Sequence, residues 1–468
     1  MLDLDKYAPA AAERHHVALA LKEVCDWAAA LCFENIPPEV RASAALVLFD
    51  DLAAVVAARG EPELARLQDG LLKSAGAAEA TIFRGGRTRA DRYTAAVANA
   101  VAGDWAELDE GYRVTSCHAG LYILPALLAE AETEGLAFTE VLRCLIAAYE
   151  VTTRIARGFP TAIRVLHPHA LFAAVGAAAA IALARGADGS GLQAAAVSAA
   201  TTVSPGPRNH AGSGALVRNV WPATGAWSGM RAAEWAALGI TGLAGSPHDV
   251  YTTALGSECR PGEMTRDLGG VYAITQNFQK LHACCQHLHS TVEAMLDLQQ
   301  RHGGAFAPDD IAGISVAVHQ RALELRATRP ATTLAAKFSL PHAAAATAVL
   351  GHAGADAFAA EMLDDPGIDS VRRKIAIEPF EPALEPPNDR SVRIRLTLRD
   401  GRDFDAECLS ARGGPDRPFT QAEILAKIDG ICDPIYPTLG TAARRAVALE
   451  PAFLALAWDR IVAEITAA

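Results

Sequence analysis

The chain has 468 residues, is 51% hydrophobic but only 6% aromatic, and carries a formal net charge of −12. That length exceeds one ordinary core, and apolar content made mostly of alanine and leucine favours helices. The acidic balance excludes wholesale binding to nucleic acid or to an anionic membrane surface, both of which need a contiguous basic face, but leaves room for an anionic small molecule in a locally basic pocket.

The opening residues, MLDLDKYAPAAAERHH, lack the cationic and apolar segments of a signal peptide. Nine cysteines without framework spacing suit free thiols in a reducing compartment, so a cytoplasmic location is expected. Helical periodicity follows over 38–59, 95–107, 138–157, 170–185, 190–203 and 225–238, with Thr139 and Ser190 in N-cap-like positions. The apolar run 170–184 is fifteen residues long and rich in alanine, which falls short of a membrane span and reads as a buried core helix. After about residue 270 the pattern changes. A β-branched run covers 314–318, helical spacing returns over 337–350, and a Pro- and Glu-rich linker covers 378–389. From Val392 onward, Val392, Ile394, Leu396 and Leu398 alternate with Arg393, Arg395, Thr397 and Arg399 before Asp400-Gly401, a hairpin signal. Helical spacing over 420–431 and 444–465 closes the chain. The expected architecture is mainly α with a smaller α+β domain: a helical domain from 1–270 and 405–468, and an α+β lid from 271–404.

Four segments carry candidate chemistry. In LDEGYRVTSCHAG, 108–120, Asp109 and His118 share a loop between two apolar helices. They form either a proton-transfer pair or a helix cap with a structural histidine. In RVLHPH, 164–169, His167 and His169 precede the alanine-rich helix, where the positive dipole end attracts anions; simple punctuation by His-Pro is the alternative. In GSGALVRNVWPATG, Arg218 has no acidic neighbour in sequence and is either free to grip a carboxylate or paired with a distant residue. In KLHACCQHLH, 280–289, the spacing lacks a C-x2-C clip and an i,i+4 histidine pair, so no metal site is expected. Lys280 reads instead as an anion contact at a cationic pocket edge. Dinucleotide, P-loop and GxSxG signatures are absent.

Taken in order, AAVANAVAGDWAELDEG with CHAG, RVLHPHALFAAVGAAAA, LVRNVWPATGAWSGMRAA, QKLHACCQHLH, AAKFSLPHAAAA and RGGPDRPFTQAEILAKI resemble the MmgE/PrpD family. That family includes 2-methylcitrate dehydratases, cis-aconitate decarboxylases and iminodisuccinate epimerases. The resemblance implies a helical domain with an α+β lid, a homodimer, and a site between the domains that uses no metal or organic cofactor. It implies catalytic roles for Asp109, His118 and His167 and substrate contacts for Arg218 and Lys280. His342 falls where many members have a tyrosine, Arg218 replaces a lysine, and Glu110-Gly111-Tyr112 and His118-Ala119-Gly120 depart from the Asp-Phe-Asp-Asp-Thr and His-Pro-Gly versions. Tyr112, Trp221 and His342 are the expected pocket walls.

The reaction implied is proton removal next to a carboxylate of a small di- or tricarboxylate, with dehydration as the first choice. An epimerase or isomerase, or a decarboxylase, is the alternative, and a non-catalytic dimeric binding protein is the third.

Overall fold

A computed structural model describes residues 8–160 and 165–467; Arg164 of the RVLHPH segment lies outside them. At the centre of the helical domain is Pro168–Ala184, which is buried along nearly all of its length. It packs against Ala119–Glu134, Phe138–Gly158, Gly189–Ala200 and Trp221–Ala237. Its alanines leave little side-chain bulk, and the closest partner, Trp221–Ala237, turns glycines toward it. A Cβ on Gly225 would lie 2.3 Å from the Ala173 Cβ, and one on Gly229 would lie 2.3 Å from the Ala174 carbonyl oxygen. Backbones therefore meet almost directly, and the dispersion gained comes from close approach rather than from large side chains. No described helix is long and apolar enough to cross a membrane.

The helices expected from periodicity form, but two caps differ. Phe138–Gly158 is preceded by Ala137, not capped by Thr139, and Gly189–Ala200 is capped by Asp188, whose carboxylate accepts from the Gly191 N–H, rather than by Ser190. The final stretch breaks into Leu439–Val447, Pro451–Leu454 and Trp458–Ile465 instead of running on from 444. These segments and Gln421–Cys432 share the core of the first domain, where Trp458 stacks on Phe138 at 6.0 Å.

The second core is drawn mostly from residues 283–408, with Ala54, Ala106 and Leu108 of the first unit joining it. Its four-stranded sheet runs Ile375–Pro379, Ile311–Val318, Val392–Leu398, Asp403–Cys408, with the first pair parallel and the others antiparallel. The hairpin turns at Asp400-Gly401, where Gly401 holds φ +89°. Alternation works as the pattern requires. Val392, Ile394 and Leu396 are buried, while Arg393 and Arg395 face Glu407 and Asp405 across the hairpin. The last strand carries the sheet past 404, to Cys408, and His289–His302 and Leu340–Leu350 add their apolar faces to this core.

The two units meet around the segment after Arg92–Trp105. Lys337, from the second unit, donates to the Trp105 carbonyl at 2.8 Å, and Lys427, from Gln421–Cys432, donates to the Leu108 carbonyl at 2.9 Å. The Trp105 carbonyl left open by the helix end is thus capped by a buried ammonium group, and the Leu108 carbonyl just beyond it is held by a second one. The loop with Asp109 and His118 starts there.

Candidate active site

Asp109 and His118 are brought together. The Asp109 Oδ2 lies 2.7 Å from the His118 Nδ1, and its Oδ1 accepts from the Lys280 Nζ at 3.1 Å. Asp109 is almost fully buried. Burial opposes its ionisation, but Lys280 and His118 outweigh that and hold the carboxyl far below its usual range. An ionised Asp109 accepts from Nδ1–H, which fixes the tautomer with the lone pair on His118 Nε2.

The loop is built so that this pair can approach. Gly111-Tyr112 forms a two-residue antiparallel bridge with Asn277-Phe278, and the Phe278 ring fills the space over Gly111. A Cβ on Gly111 would come within 2.4 Å of that ring. Phe278 in turn lies edge-on to His118, with ring centroids 6.0 Å apart. Beneath the loop, Glu110 accepts from the Gly120 N–H at 2.8 Å and the Tyr149 hydroxyl at 2.8 Å, while the Asp51 carboxylate accepts from the Glu110 N–H at 2.9 Å. Burial pushes Glu110 up to about 8, and burial with the Glu110 charge raises Asp51 well above its usual range.

A layer of ion pairs surrounds the dyad. Arg218 meets Asp104 at 2.5 Å and Glu107 at 2.6 Å, and Lys280 lies 3.5 Å from Glu107. Burial pushes Asp104 up to about 6 despite Arg218. Glu107 holds φ +54°, a left-handed conformation that costs a non-glycine residue about 1 kcal/mol or more. Its side chain reaches both cations from there. Arg218 is therefore not a free grip: its partners are Asp104 and Glu107, distant in sequence and adjacent in space.

His167 caps Pro168–Ala184. Its Nδ1 lies 3.3 Å from the His169 N–H and its Nε2 lies 3.3 Å from the Arg218 Nε. A neutral imidazole has one lone pair, so the two contacts compete. Burial, His169 and Arg218 push His167 well below its usual pKa, so it is a neutral imidazole and not a cation. His169 is also held neutral, by burial first and then by Arg218 and His118. Its Nδ1 is 2.8 Å from the Tyr122 hydroxyl, and its Nε2 is 3.0 Å from Asp104.

These groups border a cavity of about 660 Å³ where the two units face each other. Arg208, Arg218, Lys280, Arg321, Arg326 and Arg390 border it, against the carboxylates of Glu107 and Glu324. His118, His167 and Tyr112 also line it. Against the acidic surface expected of a chain with net charge −12, this is a local basic pocket. A small polyanion fits it.

Residues 22–255 match the MmgE/PrpD N-terminal domain, and residues 282–450 match the MmgE/PrpD C-terminal domain. The chain belongs to the MmgE/PrpD family. It is also similar to a cis-aconitate decarboxylase-like protein, oryM, of Aspergillus oryzae, at 25% identity over 431 residues covering 86% of this chain and 89% of that one. Family and relative together point to an enzyme of the dehydratase and decarboxylase kind.

Within this MmgE/PrpD chain, two expected walls fall elsewhere. His342 is fully buried in the second core, with its Nε2 3.0 Å from the Ala357 carbonyl and its ring against Phe358, and does not border the cavity. It stands at the start of the helix Leu340–Leu350, which turns it into the lid instead of out of it. Trp221 packs behind His167, with centroids 5.4 Å apart, and is likewise not part of the lining. In the 280–289 segment, His287 faces His319 and the His289 Nε2 lies 3.1 Å from the Cys284 carbonyl. Among the described residues, the group of potential metal ligands that converges is Glu13, His248 and Cys259, which does not line the cavity. Sequence reasoning missed Asp104, Glu107 and Arg390. The first two stand in DWAELDEG, a few residues before Asp109, where acidic spacing was a usable signal; Arg390 gave none.

Proposed function

We propose that this protein is a lyase of small di- or tricarboxylates that removes a proton from a carbon next to a carboxylate, with His118 as the proton-transfer group and Asp109 as its orienting partner. The observation that carries this reading is the Asp109–His118 pair, 2.7 Å apart, at the edge of a cavity rich in arginine. A carbon acid of this kind is weak, so the negative charge that grows on its carboxylate must be met by fixed donors in a dry cleft. Lys280 and Arg218 border the cavity and add positive charge to it, while their hydrogen bonds are shared with Asp104, Glu107 and Asp109. His167, being neutral, serves as an N–H donor or an acceptor and not as a charge. The histidine is the better base because its hydrogen bond to Asp109 leaves the lone pair on Nε2, whereas each Asp109 oxygen already meets Lys280 or His118.

Dehydration is the first choice of outcome. Loss of CO2 is the second, favoured by the similarity to a protein named for cis-aconitate decarboxylase, and epimerisation by the same proton step is the third. Incubation in deuterated water with citrate, 2-methylcitrate, cis-aconitate and chiral substituted succinates, followed by NMR, separates them. Deuterium with alkene formation marks a dehydratase, gas release a decarboxylase, and exchange with inversion an epimerase. The step as drawn uses protein groups alone, so turnover is expected to survive dialysis against a chelator. His118→Ala is expected to lower turnover by ~10²–10⁴-fold while leaving ligand binding in place. A folded His118→Ala variant with wild-type turnover removes His118 from the mechanism.

A further inference from the structure

We propose that Arg390 is a substrate-binding, specificity-determining residue that grips a carboxylate remote from the reacting carbon, so that the site selects polycarboxylates over monocarboxylates. This rests on the proton-abstraction reading above and names what that reading leaves open.

Most of the cations bordering the cavity are already engaged. Arg218 holds Asp104 and Glu107, and Lys280 holds Asp109 and Glu107. Arg326 donates its Nε to the Leu323 carbonyl, and Arg208 and Arg321 have partners of their own. Arg390 differs. It is 8% exposed, yet neither its Nε nor its Nη1 has a hydrogen-bond partner among the described residues. The neighbouring Asp389 offsets its charge only in part, because that carboxylate is paired with Arg113 and leaves the Arg390 Nε and Nη1 without a hydrogen bond. Burial, with Arg113 beside it, pushes the guanidinium down to about 9, which still leaves it charged at neutral pH. A buried charge with orphaned donors is costly unless an anion completes it.

Its position says which anion. Arg390 opens the strand side of the second unit and lies over the Phe278 ring at 5.7 Å, while His118 lies 6.0 Å from the same ring. The guanidinium and the imidazole thus lie against the same ring, and both border one cavity. Arg390 also borders a second, wider cavity together with Ser116, Arg208, Arg321 and Glu324, so it stands at the neck between them. A substrate whose reacting carbon faces His118 meets Arg390 only if it carries another carboxylate further along its skeleton. A planar guanidinium with unpaired donors suits that carboxylate better than the point charge of an ammonium group does.

The test uses the full-length protein with tricarballylate, succinate and butyrate as probes, read by calorimetry and by thermal melting, alongside steady-state KM and kcat on the substrate found above. Wild type is expected to bind tricarballylate more tightly than butyrate. Arg390→Met is expected to lose ~10–100-fold in tricarballylate affinity, with little change for butyrate. The same variant, without ligand, is expected to melt at or above the wild-type temperature, since an unpaired buried charge is gone; a merely structural arginine would give a lower one. Arg390→Lys keeps the charge without the fork and is expected to recover part of the affinity. Equal tricarballylate affinity in wild type and Arg390→Met overturns the proposal while leaving the reaction intact. If wild type binds none of the three acids, the polycarboxylate reading itself fails, and the role of Arg390 with it. If Arg390→Met does not fold, an unaltered affinity in Arg390→Lys overturns the proposal instead.

Discussion

The dyad at Asp109 and His118 rests on two buried carboxyls, Asp51 and Glu110, whose ionisation is opposed by burial and by neighbouring carboxylates. Asp51 and Glu110 meet around Gly120, where any Cβ would lie 2.2 Å from the Asp51 Oδ2 and 2.9 Å from the Glu110 Oε1. With Glu110 pushed up to about 8 from 4.5 by burial and by neighbouring carboxylates, the folded protein keeps a proton there that the unfolded chain releases. Between about pH 4.5 and 8 the folded state binds more protons, so stability falls as pH rises, by at most about 1.4 kcal/mol per unit for one proton. The contribution is fully present at acid pH and lost by the time the pH passes 8. Glu110→Gln, which keeps the shape and one acceptor, is expected to flatten this slope, as read from denaturant unfolding at pH 6 and pH 8. An unchanged slope would place the proton elsewhere. Single residues were unevenly legible. Asp109 and His118 stand close together in one loop, so sequence alone could pair them. The partners of Arg218 and the isolation of Arg390 depend on contacts between segments more than a hundred residues apart, about which local spacing says nothing.

At the scale of elements, the short bridge between Gly111-Tyr112 and Asn277-Phe278 ties the loop of the first unit to the segment leading into the second. Glycine at 111 looks like a loss of the threonine-bearing loop seen in the better-known relatives. In three dimensions it is what lets the Phe278 ring, which lies against both His118 and Arg390, sit over the loop. Gly111→Ala puts a methyl group into the Phe278 ring, so the ring or the strand must move. The expected result is a fall in kcat/KM of ~10-fold or more with a stability loss of only about 1–3 kcal/mol, because the ring is at a cavity wall and has room to shift. Gly111→Ala combined with Phe278→Leu is expected to regain stability without regaining full activity. A kcat/KM unchanged in the single variant would show that Phe278 does not position the site. Elements with strong periodicity were readable: the alanine-rich helix and the hairpin at Asp400-Gly401 formed where alternation and turn residues placed them. The helix starts at Ala137 and Asp188 were not: the first has no side-chain cap at all, and at the second it is the Asp188 carboxylate, not the Ser190 hydroxyl, that reaches an open N–H. His342 failed for a related reason. Its segment forms the expected helix, but the packing of that helix on the sheet decides which way its first turn faces.

For the molecule as a whole, the face beyond Trp221–Ala237 is out of keeping with an otherwise alanine-packed interior. Trp227 and Trp235 are exposed, and Leu238, Ile240 and Leu243 follow within a few residues, at 76%, 64% and 68% exposure. Scattered apolar side chains on a surface need no explanation, but five large ones along one helix and the turn after it form a patch of the kind that marks association. The helix beneath is held rigidly against Pro168–Ala184 through Gly225 and Gly229, so a partner would meet a preformed surface. We propose that a second copy of the chain covers it by a two-fold contact, which is the simplest closed arrangement and the one the family resemblance implies. The mass of the wild-type protein in solution, by light scattering after size exclusion, is then expected to be twice the 49.1 kDa of one chain. The double variant Leu238→Asp, Ile240→Asp places two like charges per copy at the contact and is expected to elute at the single-chain mass at micromolar concentration. Neither substitution disturbs the core, because both side chains are already in water in the isolated chain, so its melting should shift only by the loss of association. A wild-type mass of one chain at that concentration, or a double variant that still elutes at twice the mass, would remove this face from the assembly.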